Sequence, residues 1–513
     1  QDVWSRFTGG DGAPGWTLEL AGMDPRGLAA CGAAVLDGGP DGKPVNLLWP
    51  TNTWKLGAAT MATLFFGGDV FAPRERVGTV SIQDFLQSRY ARFAREVARR
   101  TAGIEAVAGF DLMNEPTVGY IAYPDLASDR FMFVRVEATP TPFDGMAAGS
   151  GFPREVPRYR QTMLGLRTIG RDTINPDGAV AWLPGRSCPW LRHGVWTERN
   201  GRPVLLRRDY FAAAGGRTVS FGADFLRPFL SRVGREIHAV RPEVLLFIED
   251  APRRRELRWS AVDGANAVHA GHWYDGLTMF RKRFTPWLGV DDLTMRPALG
   301  GAGVRRSFRR QVGRIARAAA DHLGGIPSFV GEFGLPFDLD GGAAFRTGDY
   351  AEQAAGLSAY HDALDANLLG GTVWNYTADN THERGDGWNG EDFSVYCRDD
   401  ADPGSGRAVE GFCRPYATRI PGTPLCMRCE PGRGRFTLAW RDDPGASGEA
   451  EVFVPGHLVA RGISITASDG TWRLDTDAHL LVHAPGTGRA VHEVVISWPP
   501  ASAPRHPVAR SSR

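Results

Sequence analysis

The sequence predicts an α/β fold: a (β/α)8 TIM barrel that lacks its first strands, followed by a small antiparallel β-sandwich. Between residues 81 and 376, short apolar runs alternate with longer segments of helical spacing, which is typical of a parallel sheet with helices outside. From about residue 418 the runs become short and alternate apolar with polar residues, with Gly, Pro and Asp between them. That second pattern indicates a sandwich of antiparallel strands.

The helices are predicted from apolar residues that recur three and four positions apart. Ser81 precedes the first such series and can serve as its N-cap. The predicted helices cover residues 81–101, 224–240, 304–323 and 350–368. The predicted barrel strands cover residues 105–113, 244–248, 267–272, 328–332 and 372–376.

The number of strands predicts how much of the barrel is encoded. A closed barrel of this type has eight strands, and residues 1–80 provide no clear strand beyond the five above. Three strands are therefore expected before Gln1, and the chain begins without Met or a signal peptide. We expect a fragment with a catalytic barrel over 1–416, a β-sandwich over 417–500 and a disordered tail over 501–513.

A long insertion follows the first barrel strand. Residues 117–222 are rich in Pro, Gly and Arg, and connections of this length are usually binding lids or disordered. Scattered aromatic residues favour an ordered lid over the site, one that could grip an apolar part of the substrate together with the segment Trp388-Asn389. The aromatic residues are Tyr120, Phe152, Trp182, Trp190 and Trp196.

Bulk composition excludes several classes of function. The 513 residues carry a formal net charge of +1, which argues against a nucleic-acid partner. No uncharged apolar run reaches the roughly 18 residues of a membrane span, so we expect a protein that is soluble or peripheral to a membrane. Neither a phosphate-binding loop nor a cluster of metal-ligating histidines is evident, and we expect no cofactor and no metal.

Four of the six cysteines fall within a short stretch. Cys397, Cys413, Cys426 and Cys429 include one Cys-x-x-Cys pair, so a structural zinc site is conceivable. The spacing between the pairs is irregular. Unpaired or partly buried thiols are therefore the preferred interpretation.

Two glutamates stand at the C-terminal ends of predicted strands. Glu115 follows Phe110-Asp-Leu-Met-Asn, and Glu332 follows Phe329-Val-Gly. In a TIM barrel that rim is where catalysis takes place. A glycosidase needs two carboxyl groups: one protonates the leaving oxygen and the other attacks the anomeric carbon. We predict that Glu115 is the acid/base and Glu332 the nucleophile, although a capped turn and a solvated strand end would also explain the two motifs.

Other polar and aromatic residues at the same rim are candidate substrate contacts. Asn114 can bond a sugar 2-hydroxyl, and Trp374 can provide a flat floor for a pyranose ring. His272 and Tyr274 share one face if their strand persists, so that Tyr274 could donate to the nucleophile and His272 could orient the sugar or the acid. The adjacent pair Glu249-Asp250 also ends a predicted strand and is the competing acidic pair.

These motifs together resemble glycoside hydrolase family 5. The resemblance is strongest to the branch of glucosylceramidases and steryl-β-glucosidases, which is related to endoglycoceramidases. It implies Asn114-Glu115 at the end of barrel strand 4, His272-x-Tyr274 on strand 6, Glu332 on strand 7 and Trp374 on strand 8. It also implies the C-terminal β-sandwich. The matching segments are residues 1–7, 12–17, 59–66, 113–116, 119–121, 193–196, 272–275, 344–349, 374–376, 385–391 and 414–416.

The resemblance implies a retaining β-glucosidase that acts on a glycolipid, with possible transient contact with a membrane surface. An endoglycoceramidase, which releases a whole oligosaccharide from ceramide, is the alternative enzyme. In this branch an Asp-x-His segment normally precedes the equivalent of Gln1-Asp2 and lines the glucose subsite, and it is absent here. An inactive fragment that binds glycolipid is therefore the alternative of another class.

Overall fold

The structure is a computed structural model that describes residues 14–35, 51–132, 135, 137–162, 165–387, 390–443 and 445–500. The predictions for residues 1–13, for Trp388-Asn389 and for the tail 501–513 lie outside the described residues. The chain divides into two compact units. The first contains Gln1–His272, Ala318–Ser328 and Glu383–Asp392, and the second contains Trp273–Arg317, Phe329–His382 and Phe393–Arg513.

The first unit contains a three-stranded parallel sheet. Its central strand, Leu245–Ile248, pairs with Gly109–Asp111 on one side and with Ala267–His269 on the other. A parallel bridge joins His269 to Ser328. The three strands were predicted, but two are shorter than expected: residues 104–107 form a turn, closed by the N–H of Val107 on the carbonyl of Ile104, and the last strand ends at His269.

Helices of the first unit pack around this sheet. Ile82–Arg100 confirms the first predicted helix, and the hydroxyl of Ser81 accepts a hydrogen bond from the N–H of Asp84 as its N-cap. The next predicted helix starts earlier than expected, with a π-helical turn over Phe221–Leu226 that continues into Arg227–His238. Further helices among the described residues of this unit are Gly15–Leu20, Gly27–Ala30, Leu56–Phe71, Pro142–Ala148 and Pro189–Arg192.

The insertion over 117–222 forms regular secondary structure where the structure describes it. It contains a three-stranded antiparallel sheet of Glu137–Ala138, Arg154–Thr162 and Gly165–Ile174, and two small hairpins. Its aromatic residues, however, do not form an exposed lid. Four of them are at most 6% exposed and belong to the apolar core of the first unit, so they are not available to grip a ligand: Tyr120, Trp182, Trp190 and Trp196.

The second unit contains a parallel pair of strands, Val330–Phe333 and Gly371–Val373. The helices predicted over residues 304–323 and 350–368 are present as Gly301–His322 and Ala351–Asp365. Trp273, Phe308 and Tyr360 form an edge-to-face aromatic cluster in the core of this unit. The shorter elements are Gly276–Arg281, Leu288–Val290, Pro297–Leu299, Leu339–Thr347 and Val409–Phe412.

The C-terminal part of the second unit contains two four-stranded antiparallel sheets. Strands of both sheets contribute to one apolar core that includes Trp440, Val452, Leu481 and Ile496. One sheet contains Tyr416–Arg419, Ala450–Phe453, Leu480–Ala484 and Thr471–Asp475, and the other contains Gly422–Glu430, Arg435–Asp442, Val491–Ser497 and Ser464–Ala467.

All six cysteines are free thiols. Cys426 and Cys429 lie on one strand, Gly422–Glu430, where side chains three positions apart point to opposite faces. Among the described residues, the groups with metal-ligand spacing include Cys397 but no second cysteine. Burial raises the pKa of the Cys429 thiol to about 11. No helix of the described residues is both long and apolar enough to cross a membrane.

Candidate active site

Glu115 lies just beyond the strand Gly109–Asp111 in an unusual backbone conformation. Its φ is +42°, in the left-handed region that non-glycine residues rarely adopt. Such a conformation costs about 1–3 kcal/mol and persists only where surrounding contacts determine it. Here the N–H of Glu115 donates a 2.6 Å hydrogen bond to Oε1 of Glu249, which is 4% exposed at the end of the neighbouring strand. Glu249 therefore fixes the position from which the Glu115 side chain extends.

His272 contacts both of these glutamates. Its Nδ1 lies 2.9 Å from Oε1 of Glu115, and its Nε2 lies 3.7 Å from Oε1 of Glu249. The imidazole is only 8% exposed, whereas the Glu115 side chain is 19% exposed. The carboxyl group of Glu115 is thus accessible to solvent, whereas that of Glu249 is enclosed. The imidazole ring of His272 can therefore orient the carboxyl group of Glu115. The ring and the carboxyl group of Glu249 are both shielded from water.

The buried carboxyl of Glu249 is poised to hold a proton. Burial raises the pKa of Glu249 well above its ordinary value, and the nearby carboxyls of Asp111 and Glu115 raise it further, although His272 opposes them. Asp111, Glu249 and His272 offer ligand atoms within 4.8 Å of one another, which is also a spacing that could suit a metal ion.

The competing acidic pair Glu249-Asp250 is not a pair of equivalent carboxyls. Asp250 accepts backbone N–H hydrogen bonds from Ala251, Glu256 and Leu257, and so it stabilises the loop that follows the strand. Glu249 points instead to Glu115 and His272. From the sequence pattern, Glu249 was only an alternative to Glu115 as a catalytic carboxyl group. The signal that it belongs beside Glu115 was its place at the end of the next strand along the chain.

Glu332 is held by Tyr274 in the second unit. The phenol of Tyr274 donates a 2.8 Å hydrogen bond to Oε2 of Glu332. The N–H of Trp273 donates to the carbonyl of Glu332 at 3.0 Å, so backbone and side chain both connect the two segments. The Tyr274 ring lies edge-on to Phe393, with centroids 6.0 Å apart. A phenol donor stabilises a carboxylate in its charged form, which is the form a nucleophile needs.

Trp374 lies directly after the strand Gly371–Val373. Its N–H donates to the carbonyl of Phe333 at 2.8 Å, so its backbone is fixed next to the residue that follows Glu332. A Cβ on Gly334 would lie 2.3 Å from the carbonyl oxygen of Trp374, and only glycine allows this approach. The peptide bond between Trp374 and Asn375 is cis. The indole is partly exposed, as a surface for a sugar ring would be.

The sugar contact proposed for Asn114 stays a prediction. Asn114 is exposed at the strand end beside Glu115, where a ligand can reach it. The condition under which His272 and Tyr274 would share one face is not met, because the strand ends at His269 and residues 270–275 are irregular. The two side chains instead contact different glutamates.

A second group with metal-ligand spacing lies in the second unit, formed by His382, Cys397 and Asp400. Its carboxylate is already neutralised, because Arg407 donates from Nε to Oδ2 of Asp400 at 3.1 Å and Tyr350 donates to Oδ1 at 2.7 Å. A buried guanidinium at this position would repel a cation. The group is therefore better explained as part of the packed core.

Comparisons with known proteins show which family the chain resembles. The sequence profile of the glycoside hydrolase family 5 C-terminal domain matches residues 414–496. A glucosylceramidase of Rhizopus delemar is 34% identical over 489 residues, which cover 89% of this chain and 71% of that protein. An ergosteryl-beta-glucosidase of Saccharomyces cerevisiae is 33% identical over 78% of this chain and 59% of that protein.

Solved structures show the same relationship. The crystal structure of Cryptococcus neoformans sterylglucosidase 1 superposes with a TM-score of 0.89 at 29% identity, over 97% of this chain and 80% of that one. Endo-glycoceramidase II from Rhodococcus sp. superposes with a TM-score of 0.52 at 14% identity, over 96% of this chain and 74% of that one, and shows a likeness of fold. The parallel strands are thus those of an α/β fold of the TIM-barrel type. The chain belongs to glycoside hydrolase family 5, in the branch of the glucosylceramidases and steryl-β-glucosidases.

Proposed function

We propose that this chain is a retaining β-glucosidase that hydrolyses the glucosyl bond of a glycolipid, either glucosylceramide or a steryl β-glucoside. One observation carries the proposal: His272 contacts Glu115 at 2.9 Å, and Tyr274 donates to Glu332 at 2.8 Å. Only one residue separates His272 from Tyr274 in the chain. A retaining mechanism requires the two carboxyl groups to lie about 5–5.5 Å apart.

In the first step, a carboxylate oxygen of Glu332 attacks the anomeric carbon of glucose. The bond from that carbon to the glycosidic oxygen breaks, and Glu115 transfers its proton to the departing oxygen of the lipid alcohol. The phenol of Tyr274 keeps the attacking carboxylate ionised and oriented. His272 and Glu249 together hold the acid beside the leaving group.

In the second step, the glucosyl ester on Glu332 is hydrolysed. Glu115, now a carboxylate, accepts a proton from water, and the resulting hydroxide oxygen bonds to the anomeric carbon while the ester bond to Glu332 breaks. Glucose leaves, and both glutamates return to their starting protonation states. The reaction is balanced with water alone and uses no cofactor.

Recognition of the sugar is assigned to residues at the same strand ends. Asn114 is exposed beside Glu115 and is proposed to bond the sugar 2-hydroxyl. The partly exposed indole of Trp374 is proposed to lie under the pyranose ring. We further assign residues 1–416 to the catalytic barrel, with the insertion 117–222, and residues 417–500 to a C-terminal β-sandwich. The two antiparallel sheets with a common core support that last assignment.

The two glutamates can be tested separately. Glu332→Gln should lower glucose release by about 10⁴-fold or more, since the nucleophile is lost. Glu115→Gln should lower it by about 10²–10⁴-fold, with a smaller loss on an aryl glucoside whose leaving group needs no proton. Glu198→Gln, on an exposed hairpin strand, is the matched control and should retain full activity. Full activity of Glu332→Gln with unchanged folding would refute the mechanism.

The substrate class needs its own measurement. Glucosylceramide, a steryl β-glucoside and a ganglioside should be incubated with the chain side by side, and the released sugars identified. Glucose from either of the first two supports the proposal. Release of an intact oligosaccharide from the ganglioside would identify an endoglycoceramidase instead. Glycolipid binding without hydrolysis by the wild-type chain would indicate an inactive binding protein.

A further inference from the structure

A hairpin in the second unit presents large apolar side chains to solvent. Its strands Leu288–Val290 and Pro297–Leu299 pair antiparallel, and the N–H of Gly300 closes the base on the carbonyl of Trp287. Trp287 is 62% exposed, Met295 at the turn is 65% exposed, and Leu299 is 70% exposed. Phe280, in the short helix that precedes the hairpin, is 53% exposed. Four exposed side chains of this size within one short segment suggest a surface made for contact.

The same segment is strongly basic. Residues 276–310 contain seven arginines and one lysine against two aspartates, although the whole chain has a formal net charge of only +1. Arg281, Arg296 and Arg305 are exposed, and within the described part of the chain no acidic side chain forms an ion pair with them. The positive charge is therefore available to a partner.

The two aspartates do not offset this charge at the surface. Asp291 is 1% exposed and Arg314 binds it, and a second nitrogen of Arg314 lies 2.8 Å from Asp292. This ion pair, together with backbone N–H donation to Asp291, holds the pKa of Asp291 down at about 2 despite its burial. Lys282 and Arg283 pair with Asp338 and Asp340, and Arg310 lies 3.6 Å from Asp291. The uncompensated charge of the segment is therefore that of exposed arginines such as Arg281, Arg296 and Arg305.

We propose that this hairpin docks the protein on an anionic lipid bilayer. Trp287, Met295 and Leu299 would enter the boundary between head groups and acyl chains, while Arg281 and Arg296 contact lipid phosphates. Indole rings prefer this boundary because one edge is polar and the body is apolar. An exposed apolar tip flanked by unpaired arginines fits a bilayer better than it fits a nucleic acid, which would not need Met295 or Leu299.

The inference rests on the proposed function, because a glycolipid substrate lies in a membrane. Within the second unit, the helix Gly276–Arg281 begins directly after Asp275 and leads from Tyr274, which holds Glu332, to the hairpin. Docking through the hairpin would therefore present the residues after Tyr274 to the surface that carries the substrate.

Vesicle flotation tests the surface. The full chain should bind vesicles of phosphatidylcholine mixed with phosphatidylglycerol, and bind vesicles of phosphatidylcholine alone much more weakly. Arg281→Gln combined with Arg296→Gln should weaken binding to the vesicles by roughly 30-fold, since each substitution removes one positive charge that the anionic surface attracts. Trp287→Ala should also weaken it, whereas Trp472→Ala, an indole 45% exposed in the C-terminal sheets, should not.

A soluble aryl β-glucoside separates this inference from the proposed function. All hairpin variants should hydrolyse it at the wild-type rate, because the hairpin does not contact the reacting atoms. Vesicle binding that is equal for wild type and hairpin variants overturns the docking proposal, and so does tighter binding of the hairpin to DNA than to vesicles. A wild-type chain that docks on vesicles but cleaves no glucoside contradicts the proposed function and leaves the docking surface supported.

Discussion

The phenol of Tyr274 donates a 2.8 Å hydrogen bond to Oε2 of Glu332. Hydrogen bonds to charged groups contribute about 1.5–3 kcal/mol, so Tyr274→Phe should lower kcat by roughly 10- to 100-fold while KM changes little. The acidic limb of the pH profile should move to higher pH, because the carboxylate loses a donor that favours its ionised form. Steady-state kinetics across pH measure both effects.

The control for this variant is Tyr416→Phe, which removes an exposed phenol from the strand Tyr416–Arg419. It should behave as wild type in rate and in pH profile. If Tyr274→Phe lost activity with no change in the pH profile, the phenol would be needed for packing alone and not for the charge of Glu332.

Glu249 is predicted to act by positioning Glu115. Glu249→Gln keeps an oxygen that accepts the Glu115 N–H, and it mimics the protonated carboxyl that a raised pKa favours. It should keep activity within about tenfold of wild type, whereas Glu249→Ala should lose more, because the left-handed conformation of Glu115 loses its anchor. Equal losses in both variants would contradict the positioning role. Glu243→Gln, an exposed substitution, is the control.

The same substitution makes a prediction about stability. Because the folded pKa of Glu249 is raised, its protonated form is favoured in the folded state, and stability falls as pH rises from about 4.3 through the folded pKa. Glu249→Gln cannot lose a proton, so its Tm should depend less on pH over that window. Thermal unfolding at several pH values compares the two proteins, and parallel Tm curves would show that Glu249 does not titrate differently on folding.

Gly334 is predicted to be required for the position of Trp374. In Gly334→Ala the new Cβ would lie 2.3 Å from the Trp374 carbonyl oxygen, so one backbone must shift at a cost of about 1–3 kcal/mol. We expect a lower Tm and a raised KM for a soluble glucoside. Gly303→Ala, where a Cβ meets nothing within 4 Å, should be neutral or slightly stabilising. A wild-type KM in Gly334→Ala would show that Trp374 does not contact the sugar.

The C-terminal sheets contain a histidine that should make stability depend on pH. The buried ring of His492 lies with Nδ1 2.9 Å from Asp469 and Nε2 2.9 Å from Asp442, and only the imidazolium donates both bonds. Burial alone would lower the pKa of His492, but hydrogen bonds to Asp469 and Asp442 outweigh it and the pKa is raised. This stabilisation is fully present below the ordinary pKa of about 6.5 and is lost as pH rises through the folded value.

His492→Gln should therefore lower the free energy of unfolding by about 1.5–3 kcal/mol at pH 6, and by less at alkaline pH. The thermal unfolding of the full chain, followed from pH 6 to pH 9, measures this difference. His457→Gln, on the short helix Gly456–Val459 of the same region, is the control. A difference that grows with pH would mean that His492 is neutral in the folded protein.

Features set by neighbouring residues in the chain were predictable. Ser81 caps the helix Ile82–Arg100 because its hydroxyl reaches the N–H of Asp84 within one turn. The five parallel strands occur in the predicted order because each apolar run is bounded by turn residues. Strand lengths were less predictable. Residues 105–108 look apolar enough to extend the strand Gly109–Asp111, but pairing with Leu245–Ile248 begins only at Gly109.

The sequence by itself determined which groups are the candidates for catalysis: two glutamates, each after an apolar strand, with His272, Tyr274 and Trp374 in the order typical of family 5. Only the tertiary structure decided how these groups contact one another. His272 turns to Glu115 and Tyr274 to Glu332 because the strand ends at His269, so alternation along a strand no longer fixes side-chain direction. Glu249 supports Glu115 because parallel pairing of Phe247 with Asp111 brings two strand ends together, and residues 134 positions apart carry no local signal of that contact.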